Sequence, residues 1–215
     1  MEHNADLEHC TIRFVDDAGD SDLFPVEQHL GRDMAQGPRR LFAMGRKAAH
    51  LCLENAGLHT PVLRGQGGQP LWPSFYHGSI AHTQGLACAA LAHQEHCAGL
   101  GIDIEAHARR PRAALVEKVC TSAEQAWVLS DSTHVEARLL ALISAKEAVY
   151  KAFYPLQNIH LGFLDASLLP AEHGYMGTLC KLAGPLQPRG YRFKVLQYKR
   201  GEYLFSLVFL PRERS

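Results

Sequence analysis

The sequence predicts a mixed helix-and-strand fold, and three observations carry the prediction. Residues 38–57 and 138–155 place apolar side chains at helical spacing. Residues 85–92 and 98–105 read as two strands bounded by polar residues. A further pair of strands, "YRFKVLQYK" and "YLFSLVFL", closes the chain.

In order along the chain, residues 1 to 33 are acidic, with one predicted strand at "CTIRFV". The basic segment "PRRLFAMGRKAAHLCLENAG" follows as a helix, and Gly57 is its natural stop because glycine adopts the left-handed conformation that ends helices. A Gly/Pro-rich loop spans residues 63–75. "GSIAHT" is predicted as a glycine-led turn leading into the two strands. "AHARRPRAAL", charged and containing proline, is the predicted connection between two halves, 1–106 and 107–215. The second half opens with a helix around "TSAEQAWVL", capped by Thr121 or Ser122, and continues into the long helix. No sequence repeat relates the halves.

With 215 residues, 47% hydrophobic and 20% charged, the chain can bury a substantial core. Formal net charge is zero, yet residues 1–105 carry 7 basic and 13 acidic side chains and residues 106–215 carry 15 and 9. The second half therefore offers a basic surface to an acidic partner, without favouring nucleic acid over the whole chain. The six cysteines form no C-x-x-C pair, and "MEHNADLEHC" has acids where a signal peptide needs basic residues and an apolar run. A reducing cytoplasm is the expectation. No apolar run approaches the roughly 20 residues that span a bilayer, so no membrane partner is expected. "HQEHC" is the densest histidine cluster, and a polar hairpin loop explains it without a metal.

The long helix, "RLLALISAKEAVYKAFYP", poses the functional question. At 100° per residue, Leu139, Leu140, Leu142, Ile143, Val149 and Phe153 define an apolar arc, and Lys146, Glu147, Tyr150 and Tyr154 fall inside it, with Lys151 at its edge. Unpartnered buried charge costs several kcal/mol, so these residues point to a ligand, a metal or opposing charge on the inward face.

In "GLGIDIE", Leu100, Ile102 and Ile104 alternate with Gly101, Asp103 and Glu105. Strand geometry puts Asp103 and Glu105 on one face about 7 Å apart, close enough for a hard cation between them. With Glu147 as a third acid, the set suits Mg²⁺ and a phosphate-bearing substrate better than Zn²⁺, which favours His and Cys. On the basic helix, Arg39 and Arg46 lie two turns apart on one side, beside Arg40 and Lys47, as guanidinium forks for phosphate. Ser79 and His82 of "GSIAHT" add a hydroxyl and an imidazole.

"GIDIE" followed by "SAKEAVYKA" resembles the signature pair of the surfactin-type 4'-phosphopantetheinyl transferases, near the enterobactin synthetase component D branch. "PRRLFAMGRKAA", "GQPLWPSFYHGSIAHT", "GIDIE" and "KEAVYKAFYPLQNIHLGF" occur in that family's order, across most of the chain. The resemblance implies an α+β fold of two similar halves related by a pseudo-twofold, with the site between them. It implies transfer of phosphopantetheine from coenzyme A to a serine of an apo acyl, aryl or peptidyl carrier protein, releasing adenosine 3',5'-bisphosphate, by a monomeric enzyme. Asp103, Glu105 and Glu147 would be the Mg²⁺ acids, with Glu147 or a water held by the acids as base. Lys151 would face the pyrophosphate with help from Lys146, and Ser79, His82, Arg46 and Arg39 would hold the adenosine phosphates. Relatives often carry a lysine near the G-x-P step; here Gly67, Gly68 and Gln69 stand there, and Arg64 is the nearest cation. Two rivals use parts of the same set: a Mg²⁺-dependent coenzyme A pyrophosphate hydrolase, and a non-catalytic coenzyme A-binding module.

Overall fold

The computed structural model describes residues 8–157, 161–181 and 188–212; positions 158–160 of "KEAVYKAFYPLQNIHLGF" lie outside them. The fold is α+β, two antiparallel sheets back to back with one long helix on each outer face.

The first sheet has the order β1–β5–β4, from β1 (Cys10–Val15), β4 (Tyr76–Thr83) and β5 (Leu86–His93). Helix α1 (Pro25–Gly31) and the long α2 (Gln36–Asn55) precede a two-stranded ribbon of β2 (Leu63–Arg64) and β3 (Pro70–Leu71). Helix α2 stops as expected: Gly57 takes φ +75°, and its N–H bonds back to the Glu54 carbonyl. The second sheet has the order β6–β10–β9–β8–β7. Its strands are β6 (Cys97–Ala106), β7 (Ala166–Ala171), β8 (Gly174–Leu179), β9 (Arg192–Arg200) and β10 (Tyr203–Pro211). Between β6 and β7 come α3 (Val116–Val119), α4 (Ser122–Leu129, N-capped by Thr121) and the 23-residue α5 (Val135–Gln157).

Strand β5 explains the layering. Ala87, Ala89 and Leu91 pack under α2, while Leu86, Cys88, Ala90 and Ala92 join Leu100, Ile102, Ile104 and Phe209 in the layer between the sheets. Both faces are covered, which accounts for a near-continuous run of small apolar residues.

Two expectations are corrected. "GSIAHT" is not a turn but the last six of the eight residues of β4, paired with β5 from Gly78↔Leu91 to Thr83↔Leu86. "HQEHC" is not a hairpin loop: β5 and β6 have no pairing register with each other, and the turn carries the chain from one sheet to the next. The division at 106 leaves "GIDIE" with the first half, whereas its backbone pairs with β10 of the second, Asp103 opposite Ser206.

Candidate active site

Alternation along β6 sets the site's floor. Its isoleucines face the inter-sheet core, so Gly101, Asp103 and Glu105 face α5. Gly101 has no room for a side chain: a Cβ there would strike the Ala148 carbonyl and Ala152 N–H of the helix. That close approach brings Glu147 and Lys151 over the strand. Lys151 Nζ donates to Asp103 Oδ1 at 2.8 Å and to the Ile102 carbonyl at 3.1 Å.

Asp103 and Glu105 are buried, and Glu147 is half-buried. Burial raises the Glu147 carboxyl above its usual range; Lys151 opposes the rise and Asp103 adds to it. Glu105 is likewise raised by burial, against the pull of Arg109, whose guanidinium it binds in an i, i+4 pair. Among the described residues no group of three His, Cys, Asp or Glu side chains is arranged to hold a metal: Glu105 is turned onto Arg109 and Asp103 onto Lys151. The donor chemistry nevertheless fits a hard cation. Asp103 and Glu147 both push Glu105 up, Asp103 also pushes Glu147 up, and Asp103 Oδ2 is buried with no partner among the described residues.

Strand β4 meets β6 at the junction of the two sheets, where Ser79 Oγ accepts the Ile102 N–H at 3.0 Å. Two clefts open there. One, about 290 Å³, is lined by Trp72, Ser79, Leu100, Tyr150, Lys151 and Tyr154. The other, about 470 Å³, is lined by Phe42, Arg46, Arg64 and His82, and the two share Gly68, Pro70 and Ile80. Arg46 is buried, its guanidinium 4.6 Å from the Phe42 ring centroid and its Nε 3.9 Å from Glu27 Oε1. Desolvation pulls Arg46 down to about 10, with Glu27 opposing and Arg64 reinforcing the fall. His82 is also lowered, by burial and by Lys151. A buried cation beside a second cation, with one carboxylate at 3.9 Å, has the chemistry to take an anion.

Fully buried Glu27 anchors this pocket from behind. It accepts from His50 Nε2 at 2.9 Å, Val62 N–H at 2.8 Å and Phe24 N–H at 3.0 Å. Reading the sequence missed it, since its only local signal is an acid in the first turn of a short helix.

Two predicted site residues lie elsewhere. Arg39 grips Asp20 through Nε at 2.8 Å and Nη2 at 2.6 Å, outside the anion cleft, because the acidic stretch before α1 folds back over the basic helix. Lys146 is buried and spends all three N–H donors on Glu124 Oε2 (2.7 Å), the Phe163 carbonyl (2.5 Å) and the Ala166 carbonyl (3.0 Å). None is left for a pyrophosphate. Its inward charge is matched by Glu124, which also caps α4 through the Thr121 N–H. Of the remaining predicted residues, Ser79 and Lys151 line the first cleft and Arg46, Arg64 and His82 the second, while Asp103 is bonded to Lys151, Glu105 to Arg109, and Glu147 lies one turn before Lys151 on α5.

Comparison with known proteins identifies the family. Residues 99–208 match the model of the 4'-phosphopantetheinyl transferase superfamily, and residues 27–92 match that of the 4'-phosphopantetheinyl transferase N-terminal domain. The chain is 37% identical over 146 residues to the 4'-phosphopantetheinyl transferase Npt of Nocardia iowensis, covering 67% of this chain and 64% of that one. It is 39% identical over 155 residues to Svp of Streptomyces mobaraensis, covering 68% and 60%. Enterobactin synthase component D of Salmonella austin is 32% identical over 185 residues, covering 79% and 76%. The matched segment thus spans less than two thirds of the first two relatives. A solved structure, Thermotoga maritima holo-[acyl-carrier-protein] synthase, superposes with a TM-score of 0.43 at 21% identity, covering 55% of this chain and 65% of that one. The acids of β6, the charged inward face of α5 and the two matched segments lead to one statement: the chain belongs to the 4'-phosphopantetheinyl transferase superfamily.

Proposed function

We propose that the protein transfers the 4'-phosphopantetheine arm of coenzyme A to a serine hydroxyl of an apo carrier protein, releasing adenosine 3',5'-bisphosphate. The observation that carries the reading is the adjacency of an acid–lysine cluster and a separate cation pocket around β4 and β6. A pyrophosphate ester with a further phosphate needs both.

In this reading Arg46, Arg64 and His82 bind the ribose phosphate. The Ser79 hydroxyl, its oxygen already accepting from Ile102, has its proton to give to the pyrophosphate. Lys151 holds cationic charge beside the pyrophosphate, where negative charge develops on the 5'-phosphate of the departing adenosine 3',5'-bisphosphate as the P–O–P bond breaks. Asp103, Glu105 and Glu147 would hold Mg²⁺, which when bound neutralises charge on the phosphoryl oxygens. For Glu105 to join, its carboxylate must leave Arg109. Glu147, raised by burial, is suited to accept the serine proton directly or through water, a contribution of about 10² to 10⁴-fold. The basic second half suits an acidic carrier. Six free thiols support a reducing compartment.

The test is incubation with coenzyme A, Mg²⁺ and an apo carrier, followed by weighing the carrier. A gain of one phosphopantetheine arm is expected. Coenzyme A cleavage without carrier would instead mean hydrolysis, and binding without either reaction a passive module.

A further inference from the structure

Gln69 and Trp72 line the cleft beside Lys151, and each carries a buried polar atom, Gln69 Oε1 and Trp72 Nε1, that meets no hydrogen-bonding group among the described residues. Buried polar groups are nearly always satisfied, so an orphaned acceptor and an orphaned donor on one cavity wall ask for what completes them. The indole nitrogen can only donate and the amide oxygen only accept.

Their settings differ in a useful way. The Trp72 indole covers Gly78 of β4 and packs with the α2 core, which fixes it. Gln69 sits at the tip of the β2–β3 ribbon, its amide folded against Gly65 and Gly67, where any side chain would collide with it. No hydrogen bond holds its oxygen there. Turning that oxygen from its own loop toward the cavity would therefore break no hydrogen bond at that atom.

We propose that Gln69 and Trp72 form a neutral recognition edge for a ligand group that presents an N–H donor beside an acceptor. The ligand N–H meets Gln69 Oε1, and the acceptor takes the Trp72 N–H. Two parts of coenzyme A carry this chemistry: the secondary amides of the pantetheine arm, and the amidine edge of adenine. The inference rests on the coenzyme reading above and adds to it the residues that read an uncharged part of the donor. The edge complements the charged contacts: Lys151 lies on the same cavity wall, and Gly68 and Pro70 of the ribbon also border the Arg46 pocket.

The test titrates adenosine 3',5'-bisphosphate and 4'-phosphopantetheine separately into the unmodified protein, Gln69→Leu and Trp72→Phe, with melting temperatures recorded for each. Both variants are expected to weaken the same one of the two ligands by about three- to tenfold, the worth of one hydrogen bond, and to spare the other. Which ligand suffers identifies the source. The proposal is overturned if neither affinity moves, if both fall together, or if the two variants affect different ligands. Gln69→Leu, which keeps the side chain's size, guards against a packing effect at Trp72. If neither ligand binds the unmodified protein, the coenzyme reading fails and takes the edge with it; if both bind and the variants change nothing, only the edge fails.

Discussion

Lys151 Nζ lies 2.8 Å from Asp103 Oδ1, joining the last turns of α5 to the first of the two acids on β6. A cation placed there does two things: it offsets repulsion among the acids, and it keeps an ammonium at the mouth of the cleft. Loss of an acid therefore has different consequences at each position. Asp103→Ala would strand Lys151, whereas Glu147 is raised by burial and the neighbouring Asp103.

Glu147→Gln is accordingly expected to reduce transfer by about 10² to 10⁴-fold at saturating Mg²⁺. In EDTA it should leave thermal stability unchanged or higher, because an amide buries more readily than a carboxylate. Near-normal transfer, measured by carrier mass, would remove Glu147 from the chemistry. A clear drop in melting temperature would assign it a structural ion pair.

Arg46→Ala should weaken coenzyme A by more than tenfold and dephospho-coenzyme A far less, since a charge-assisted hydrogen bond contributes about 1.5 to 3 kcal/mol and the second donor lacks the phosphate. Arg46→Lys should recover only part of the loss, having charge without the fork. Equal losses on both donors in a residue-against-phosphate cycle would place the ribose phosphate elsewhere.

Removing one partner of the Lys146–Glu124 pair leaves a buried charge alone, so Lys146→Met should cost about 3 to 5 kcal/mol in urea unfolding. Lys146→Met combined with Glu124→Gln should cost less than the sum of the two single changes. Additive costs would show that the pair is not coupled. At temperatures where Lys146→Met stays folded, KM for coenzyme A should be little changed, because Lys146 has no free donor for it.

Gly101→Ala forces a methyl group against the backbone of α5 and should destabilise the protein by about 2 kcal/mol or more. Transfer should fall with it, as Glu147 and Lys151 are lifted from β6. Unaltered stability would mean that helix and strand approach less closely than described.

Glu27 supplies a pH signature. Desolvation alone would raise its carboxyl, but the hydrogen bonds from His50, Val62 and Phe24 together leave it below its ordinary value. A lowered folded-state pKa stabilises the protein above the unfolded carboxylate value of about 4.3, and that stabilisation is lost as pH falls through the lower folded value. Melting temperature should fall less steeply with acid in Glu27→Gln than in the unmodified protein. Parallel curves would deny Glu27 that share of acid sensitivity.

Where periodicity carried the information, the site was legible. The isoleucine–carboxylate alternation of β6 and the charged arc of α5 were enough to expect the acids of β6 to face the helix, and Lys151 meets Asp103 there. What escaped were partnerships between residues distant in sequence. Glu124 reads as a helix cap and gives no hint of a lysine on another helix. Asp20 looks like one acid among several, yet it holds Arg39 away from the cleft of Arg46 and Arg64. Strand β4 was hidden because Gly78, Ser79 and His82 are poor strand formers, and they are tolerated there because β4 abuts a second sheet and two clefts. Strands β7 and β8, interrupted by Pro170 and by His173 at φ +59°, offered no alternation long enough to read.

The crossing of the chain between β5 and β6 has a mechanical consequence. The seam between the sheets and the change of polypeptide do not fall at the charged connector, residues 106–115, but at the turn 94–96, which Arg212 near the other end of the chain clasps through the Gln94 and His96 carbonyls. A protease cut in the connector would release neither sheet, since β6 would stay zipped to β10. A cut in the turn would leave each sheet covalently whole. Two separately expressed pieces divided there would each keep a helix with its own sheet, and would have to find one another through the inter-sheet core and the Ser79 hydroxyl before the acids and the arginines faced a common ligand.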